Sequence, residues 1–147
     1  MNEINICFAS DNNYAKYMGL ALMSILKSAN KNDNLHFFIL DNGIKQEEKD
    51  KISTLHKIKS FEIEYLSINE NMFKNLHVNQ TGLTLTAYAR FFVPQLISED
   101  KIIYLDCDVF VRKSLAPLFN IDISNYFMAG SLDFGIKKQY LLSKFKD

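Results

Sequence analysis

Two aspartates, Asp106 and Asp108, interrupt the apolar run K-I-I-Y-L-D-C-D-V-F-V-R at Lys101–Arg112. A carboxylate beside a core is costly unless a cation or hydrogen bonds compensate it, and two carboxylates two residues apart repel each other. In extended chain, residues i and i+2 point to the same side. Asp106 and Asp108 are therefore expected to face one point in space, with Cys107 turned the other way. A divalent metal ion is the simplest partner for that pair. With no His or Cys at ligand spacing, the carboxylates favour Mn2+ or Mg2+ over zinc. The pattern suggests a metal-assisted site for a phosphorylated ligand. The competing reading is a solvated turn at a strand end, where Asp is common. The apolar flanks, and a strand expected to continue through Val109–Val111, weigh against it.

Two further clusters carry polar chemistry. S-D-N-N-Y at Ser10–Tyr14 reads as a helix start with Asn12 or Asn13 as its cap. It also reads as a nucleotide contact, because Asp and Asn bond the edge of a base and a tyrosine ring stacks on its face. Arg90, in T-A-Y-A-R-F-F, is one of only two arginines, with Arg112. It is either a surface residue paired with a carboxylate or a clamp that binds phosphate or neutralises an aspartate. His36, His56 and His77 have no nameable partner and are assigned no role.

The elements that must position these residues follow from hydrophobic spacing. Ile4–Ala9 reads as a strand ending at the polar cluster Ser10–Asn13. Met18, Ala21, Leu22, Ile25, Leu26 and Ala29 recur at helical spacing. Leu35–Leu40 is a second strand, closed by the turn residues Asp41-Asn42-Gly43. A helix over 45–58 buries Ile52, Leu55 and Ile58, and Phe61–Leu66 is a third strand. Ser67–Leu83 reads mostly as loop. Thr84–Phe92 is a short helix ended by Pro94. Ile102–Leu105 is a fourth strand, buried on both faces, and Tyr126–Leu132 a fifth. This order predicts an α/β fold, a mostly parallel sheet with helices on both faces. Such sheets bind ligands beyond the carboxyl ends of their strands. Asp11 follows the first strand and Asp106 the fourth, so both open onto one edge and one ligand site.

The 147 residues suit a single domain over 1–147 with a real core, and 48% hydrophobic with 23% charged residues is ordinary for a globular protein. A formal net charge of zero argues against a nucleic-acid partner held by bulk positive charge. No apolar run approaches the ~20 residues of a transmembrane segment. The N-terminus lacks the pattern of a signal peptide, so a cytoplasmic location is expected. Cys7 and Cys107 are expected to be reduced and partly buried.

Several motifs, in order, give the chain a resemblance to the family 8 glycosyltransferases, the group of bacterial lipopolysaccharide galactosyl- and glucosyltransferases and of glycogenin. They are I-C-F-A-S-D-N-N-Y at Ile6–Tyr14, Ser24-Ile25 late in the first helix, and F-F-I-L-D-N-G-I at Phe37–Ile44. L-T-A-Y-A-R-F at Leu85–Phe91, K-I-I-Y-L-D-C-D-V-F-V at Lys101–Val111, L-A-P-L-F at Leu115–Phe119 and A-G-S-L-D at Ala129–Asp133 follow. Alone, D-x-D is weak; the ordered set is specific.

The resemblance implies a GT-A, Rossmann-like fold and a UDP-hexose donor. It also implies transfer with retention to a saccharide acceptor such as lipopolysaccharide or another surface glycan. It implies Mn2+ or Mg2+ bridging Asp106, Asp108 and the donor diphosphate. Asp11, Asn13 and Tyr14 would hold the uridine, Arg90 the donor sugar region and the aspartate network, and Cys107 the ribose through its backbone. Asp133 matches a position near the transferred sugar or acceptor, and no nucleophile is assigned. The place of work it implies is cytoplasmic, peripheral at the inner membrane face.

The chain also departs from the family. Members are usually about twice as long, and the later H-x-x-G-x-x-K-P segment, which supplies a third metal ligand and a diphosphate-binding lysine, has no counterpart here. The sequence therefore reads as the nucleotide-binding half of such an enzyme. The alternative is a catalytically incomplete fragment or regulatory module, completed by a C-terminal half, a partner chain or a second copy in a homo-oligomer.

Overall fold

A computed structural model describes residues 2–74 and 85–131. Four strands, β1 (Asn2–Asp11), β2 (Asp33–Asn42), β3 (Glu62–Ser67) and β4 (Ile103–Tyr104), form one sheet in the order β3-β2-β1-β4. Every pairing is parallel, with Cys7 opposite Phe38 and Tyr104, and Asp11 opposite Asn42. All four carboxyl ends therefore lie on one edge, as expected from the alternation of strands and helices.

Alternate residues of the central strands feed two cores. Ile4, Ile6 and Phe8 pack with Phe37 and Ile39 against helix α1 (Ala15–Ser28), through Met18, Leu22 and Ile25. Helix α2 (Gln46–Ser53) adds Ile52 to that layer. On the other face Cys7, Ala9, Phe38 and Leu40 meet Ala89, Val93 and Ile97. Those last residues come from a helical stretch made of α3 (Leu85–Tyr88), a 3-10 turn (Ala89–Phe92) and α4 (Val93–Leu96). The remaining helix, α5 (Ala116–Phe119), rests Ala116 in the α1 layer.

Several expectations are corrected. Pro94 does not stop the helical stretch. It sits in the first turn of α4, where its missing N–H costs no hydrogen bond. The predicted helix over 45–58 is α helix only to Ser53 and then tightens into a 3-10 turn at Thr54–Lys57. β4 is half-buried rather than buried on both faces, because it has a sheet neighbour on one side only among the described residues. No strand continues through Val109–Val111, and 126–131 are irregular chain with a bend at Phe127, not a fifth strand. These segments carry strand-forming residues but find no pairing edge among the described residues, and β composition without a partner makes no ladder. Leu132, His77 and Asp133 lie outside the described residues.

Candidate functional site

The site is built on the ends of β1 and β4. Leu105 N donates to Cys7 O at 3.0 Å, one step beyond the two residues of β4. The chain then turns at Cys107-Asp108. The expected alternation survives, but through a turn rather than extended chain. Cys107 is buried and its thiol donates to Ala9 O at 3.2 Å, while Asp106 and Asp108 are exposed. Burial pushes the Cys107 thiol up to about 11; a hydrogen bond with Ser10 opposes this, and the charges of Asp106, Asp108 and Asp11 add to it. The charges of three carboxylates from two strand ends thus act on one thiol.

Arg90 is the guanidinium that answers them. Its Nη2 donates to Asp106 Oδ1 at 2.9 Å, its Nε donates to Ala87 O at 2.9 Å, and the group lies 4.9 Å over the Tyr104 ring. The pair fits both readings of Arg90, a surface residue paired with a carboxylate and a group that neutralises an aspartate, and the carboxylate belongs to the D-x-D pair. Tyr104 is pushed up to about 12 by burial, with Arg90 opposing and Asp106 reinforcing the shift.

The Ser10–Asn13 turn is organised differently from the expected cap. Neither Asn12 nor Asn13 caps α1. Asp11 Oδ1 accepts from Tyr14 N at 2.9 Å, and Tyr14 itself is the residue before the helix, in helical conformation. Asn12 instead accepts from Lys45 N at 3.0 Å through its Oδ1, holding the loop after β2. Asp11 wins because its carboxylate, at the last position of β1, reaches the first free N–H. The Tyr14 ring is half-exposed and 5.7 Å from Tyr17; Asn13 is exposed.

Composition gave no reason to single out the end of β2 beyond its turn chemistry. Asp41 is buried and paired with Lys49 Nζ at 2.6 Å, and its Oδ1 accepts from Ile44 N at 2.7 Å. Asn42 donates to Thr86 Oγ1 at 2.9 Å. The signal that would have found them is register: in a parallel sheet, Asn42 had to end beside Asp11. The two described histidines, His36 and His56, stay outside the site. His36 packs on Phe38 and lies 3.0 Å from Glu64, and His56 stacks on Phe61. Cys7 and Cys107 are free, as expected, and buried outright rather than partly.

A parallel sheet with helices on both faces and a polar cluster at its carboxyl edge defines an α/β fold of the GT-A, Rossmann-like type. The sequence model described as "Glycosyl transferase family 8" matches residues 5–146, and the chain belongs to that family. It is similar to a putative glycosyltransferase of Haemophilus influenzae, 37% identical, covering 88% of this chain and 39% of that protein. It is also similar to general stress protein A of Bacillus subtilis, 30% identical, covering 90% and 47% respectively. Among solved structures, the galactosyltransferase LgtC in complex with donor and acceptor sugar analogs superposes with a TM-score of 0.80. It is 31% identical and covers 92% of this chain and 49% of that one. The bifunctional glycosyltransferase WbbM superposes with a TM-score of 0.68 at 26% identity, covering 84% and 22%. The chain thus spans half or less of the length of these proteins.

Proposed function

We propose that this chain is the donor-binding part of a retaining hexosyltransferase that takes a UDP-hexose and passes the sugar to a saccharide acceptor such as lipopolysaccharide or another surface glycan. The observation that carries the reading is that Asp11, at the end of β1, and Asp106 and Asp108, just past β4, lie at the same carboxyl edge of a parallel sheet, with Arg90 paired to Asp106. On this reading Asp11, Asn13 and the half-exposed ring of Tyr14 hold the uridine. Cys107, anchored by its thiol, offers its backbone to the ribose. Arg90 orients the donor sugar and keeps Asp106 in place. Asp133 is proposed for the acceptor side.

The donor set fits a hard divalent cation such as Mn2+ or Mg2+. Asp106 and Asp108 are exposed carboxylates, and the Arg90 guanidinium pairs with Asp106 alone, so negative charge is in excess. Among the described residues no group of three or more His, Cys, Asp or Glu is arranged to hold a metal. Asp106 and Asp108 would therefore supply only part of the shell. When bound, the ion supplies charge neutralisation for the departing UDP.

A second reading is a binding module whose site is completed by further polypeptide or a partner chain. It is favoured by the exposed Phe110, Leu118, Ile121, Tyr126, Phe127 and Met128, and by the coverage of the relatives. Assaying the purified chain for UDP release from UDP-hexoses, with and without saccharide acceptors, while measuring its mass by sedimentation, separates the two. Acceptor-dependent UDP release by the monomer supports the transferase. UDP binding without turnover supports the module, and failure to bind any UDP-hexose contradicts both.

A further inference from the structure

We propose that the last residue of β2 and the loop after it, residues 42–45, form a brace that sets the spacing between the two elements carrying the donor ligands, with Asn12, Asn42 and Thr86 as its positioning residues. The proposal rests on the donor-site reading above. The loop reaches out in two directions. Lys45 N donates to Asn12 Oδ1 at 3.0 Å, inside the turn that carries Asp11, Asn13 and Tyr14. Asn42 Nδ2 donates to Thr86 Oγ1 at 2.9 Å, in the first turn of the stretch that carries Arg90. From there the contact runs through Arg90 to Asp106 at 2.9 Å.

A brace must itself be stiff, and this one is fixed from below. Gly43 adopts φ 84°, a left-handed turn that L side chains rarely enter. That turn lets Ile44 N return to Asp41 Oδ1 at 2.7 Å. The other carboxylate oxygen of Asp41 pairs with Lys49 at 2.6 Å, and Lys49 lies 4.6 Å over the Tyr65 ring. The Asp41 carbonyl accepts from Ile68 N at 3.0 Å, tying the loop to the chain after β3. Thr86 is 8% exposed, so water competes poorly for its bond to Asn42. Asn42 is also the register partner of Asp11, which puts the brace directly beside the nucleotide turn. Ligand groups tolerate little misplacement: an error of about 1 Å costs on the order of 100-fold in rate.

The test uses the full 147-residue chain. Thr86→Val removes the hydroxyl and keeps the shape; Thr86→Ser restores the hydroxyl. With only two arginines, Arg112→Lys assigns the Arg90 Nε–H signal in a nitrogen-15 spectrum. Thr86→Val is expected to speed solvent exchange of that Nε–H and to weaken UDP binding in Mn2+, each roughly three- to tenfold. The thermal midpoint should move only a few degrees, and Thr86→Ser should return both readouts to the native value. Exchange and UDP affinity within twofold of the native chain would overturn the brace. If the native chain binds no UDP, the donor-site reading fails, while the Arg90 exchange rate and its rescue by serine still decide the brace. Should Thr86→Val fail to fold, Asn42→Ala removes the same bond from the other side and is read identically.

Discussion

The Arg90–Asp106 pair is a contact whose worth lies in the site rather than in the stability of the fold. Its two side chains are 42% and 55% exposed. An ion pair that open to water is worth ~0.2–1 kcal/mol, and the stacking of Arg90 over Tyr104 adds ~0.5–1 kcal/mol. Arg90→Met should therefore cost no more than about 2 kcal/mol, a fall of several degrees in the thermal midpoint. In a double-mutant cycle with Asp106→Asn, read by urea unfolding, the coupling should be about 1 kcal/mol or less and should shrink in high salt. Lys49–Asp41 provides the internal contrast, with side chains only 24% and 10% exposed. Lys49→Met strands a buried carboxylate that also holds Ile44 N, so its cost should approach ~3 kcal/mol and resist salt. A coupling for Arg90–Asp106 above about 2 kcal/mol, or one as salt-resistant as that of Lys49–Asp41, would refute this reasoning.

Three other outcomes are expected. Burial raises Cys107 from an ordinary 9.0 to about 11 and Cys7 to about 12, so at pH 8 the Cys107 thiolate should be ~100-fold scarcer than in an unfolded chain. Iodoacetamide should therefore label neither thiol in the native protein and both in urea, and rapid native labelling of Cys107 would show that the D-x-D turn is open. Because these pKa values, and that of Tyr104 at about 12, are raised in the folded state, the stability they carry is full below about pH 9. It is lost as pH rises through about 11 to 12, which a urea series against pH would show as falling midpoints on the alkaline side only. In the core, Phe8→Ala should cost ~3–5 kcal/mol, since Phe8 is fully buried between β1 and α1; a loss under 1 kcal/mol would mean that the layer is not packed as described.

The parts of the fold legible in the sequence were those where one local signal dominated. The runs Ile4–Ala9 and Leu35–Leu40 are apolar on both faces because both faces are covered, and they became the two central strands. Convergence of Asp11 and Asp106 followed from strand order alone. What could not be read was pairing. Val109–Val111 and Tyr126–Leu132 carry strand composition, yet the sequence does not say whether an edge awaits them. Nor could local pattern distinguish a helix cap from a longer-range bond: Asn12 looked like the cap of α1, but its oxygen holds Lys45 N across 33 residues of sequence. The Asn42–Thr86 bond is invisible for the same reason, because it joins two elements whose spacing only the folded sheet defines. Cys107, by contrast, was legible as the inward member of its triplet, since alternation of polar and apolar residues survives a turn as well as a strand.

The most direct test of the donor site is calorimetric titration of UDP into the chain, with Mn2+ and with the metal chelated. Binding should strengthen at least tenfold with Mn2+, with the gain lost in Asp106→Ala and in Asp108→Ala while Tyr14→Ala weakens binding under both conditions. UDP affinity indifferent to Mn2+ and unchanged by Asp106→Ala would contradict the donor-site reading.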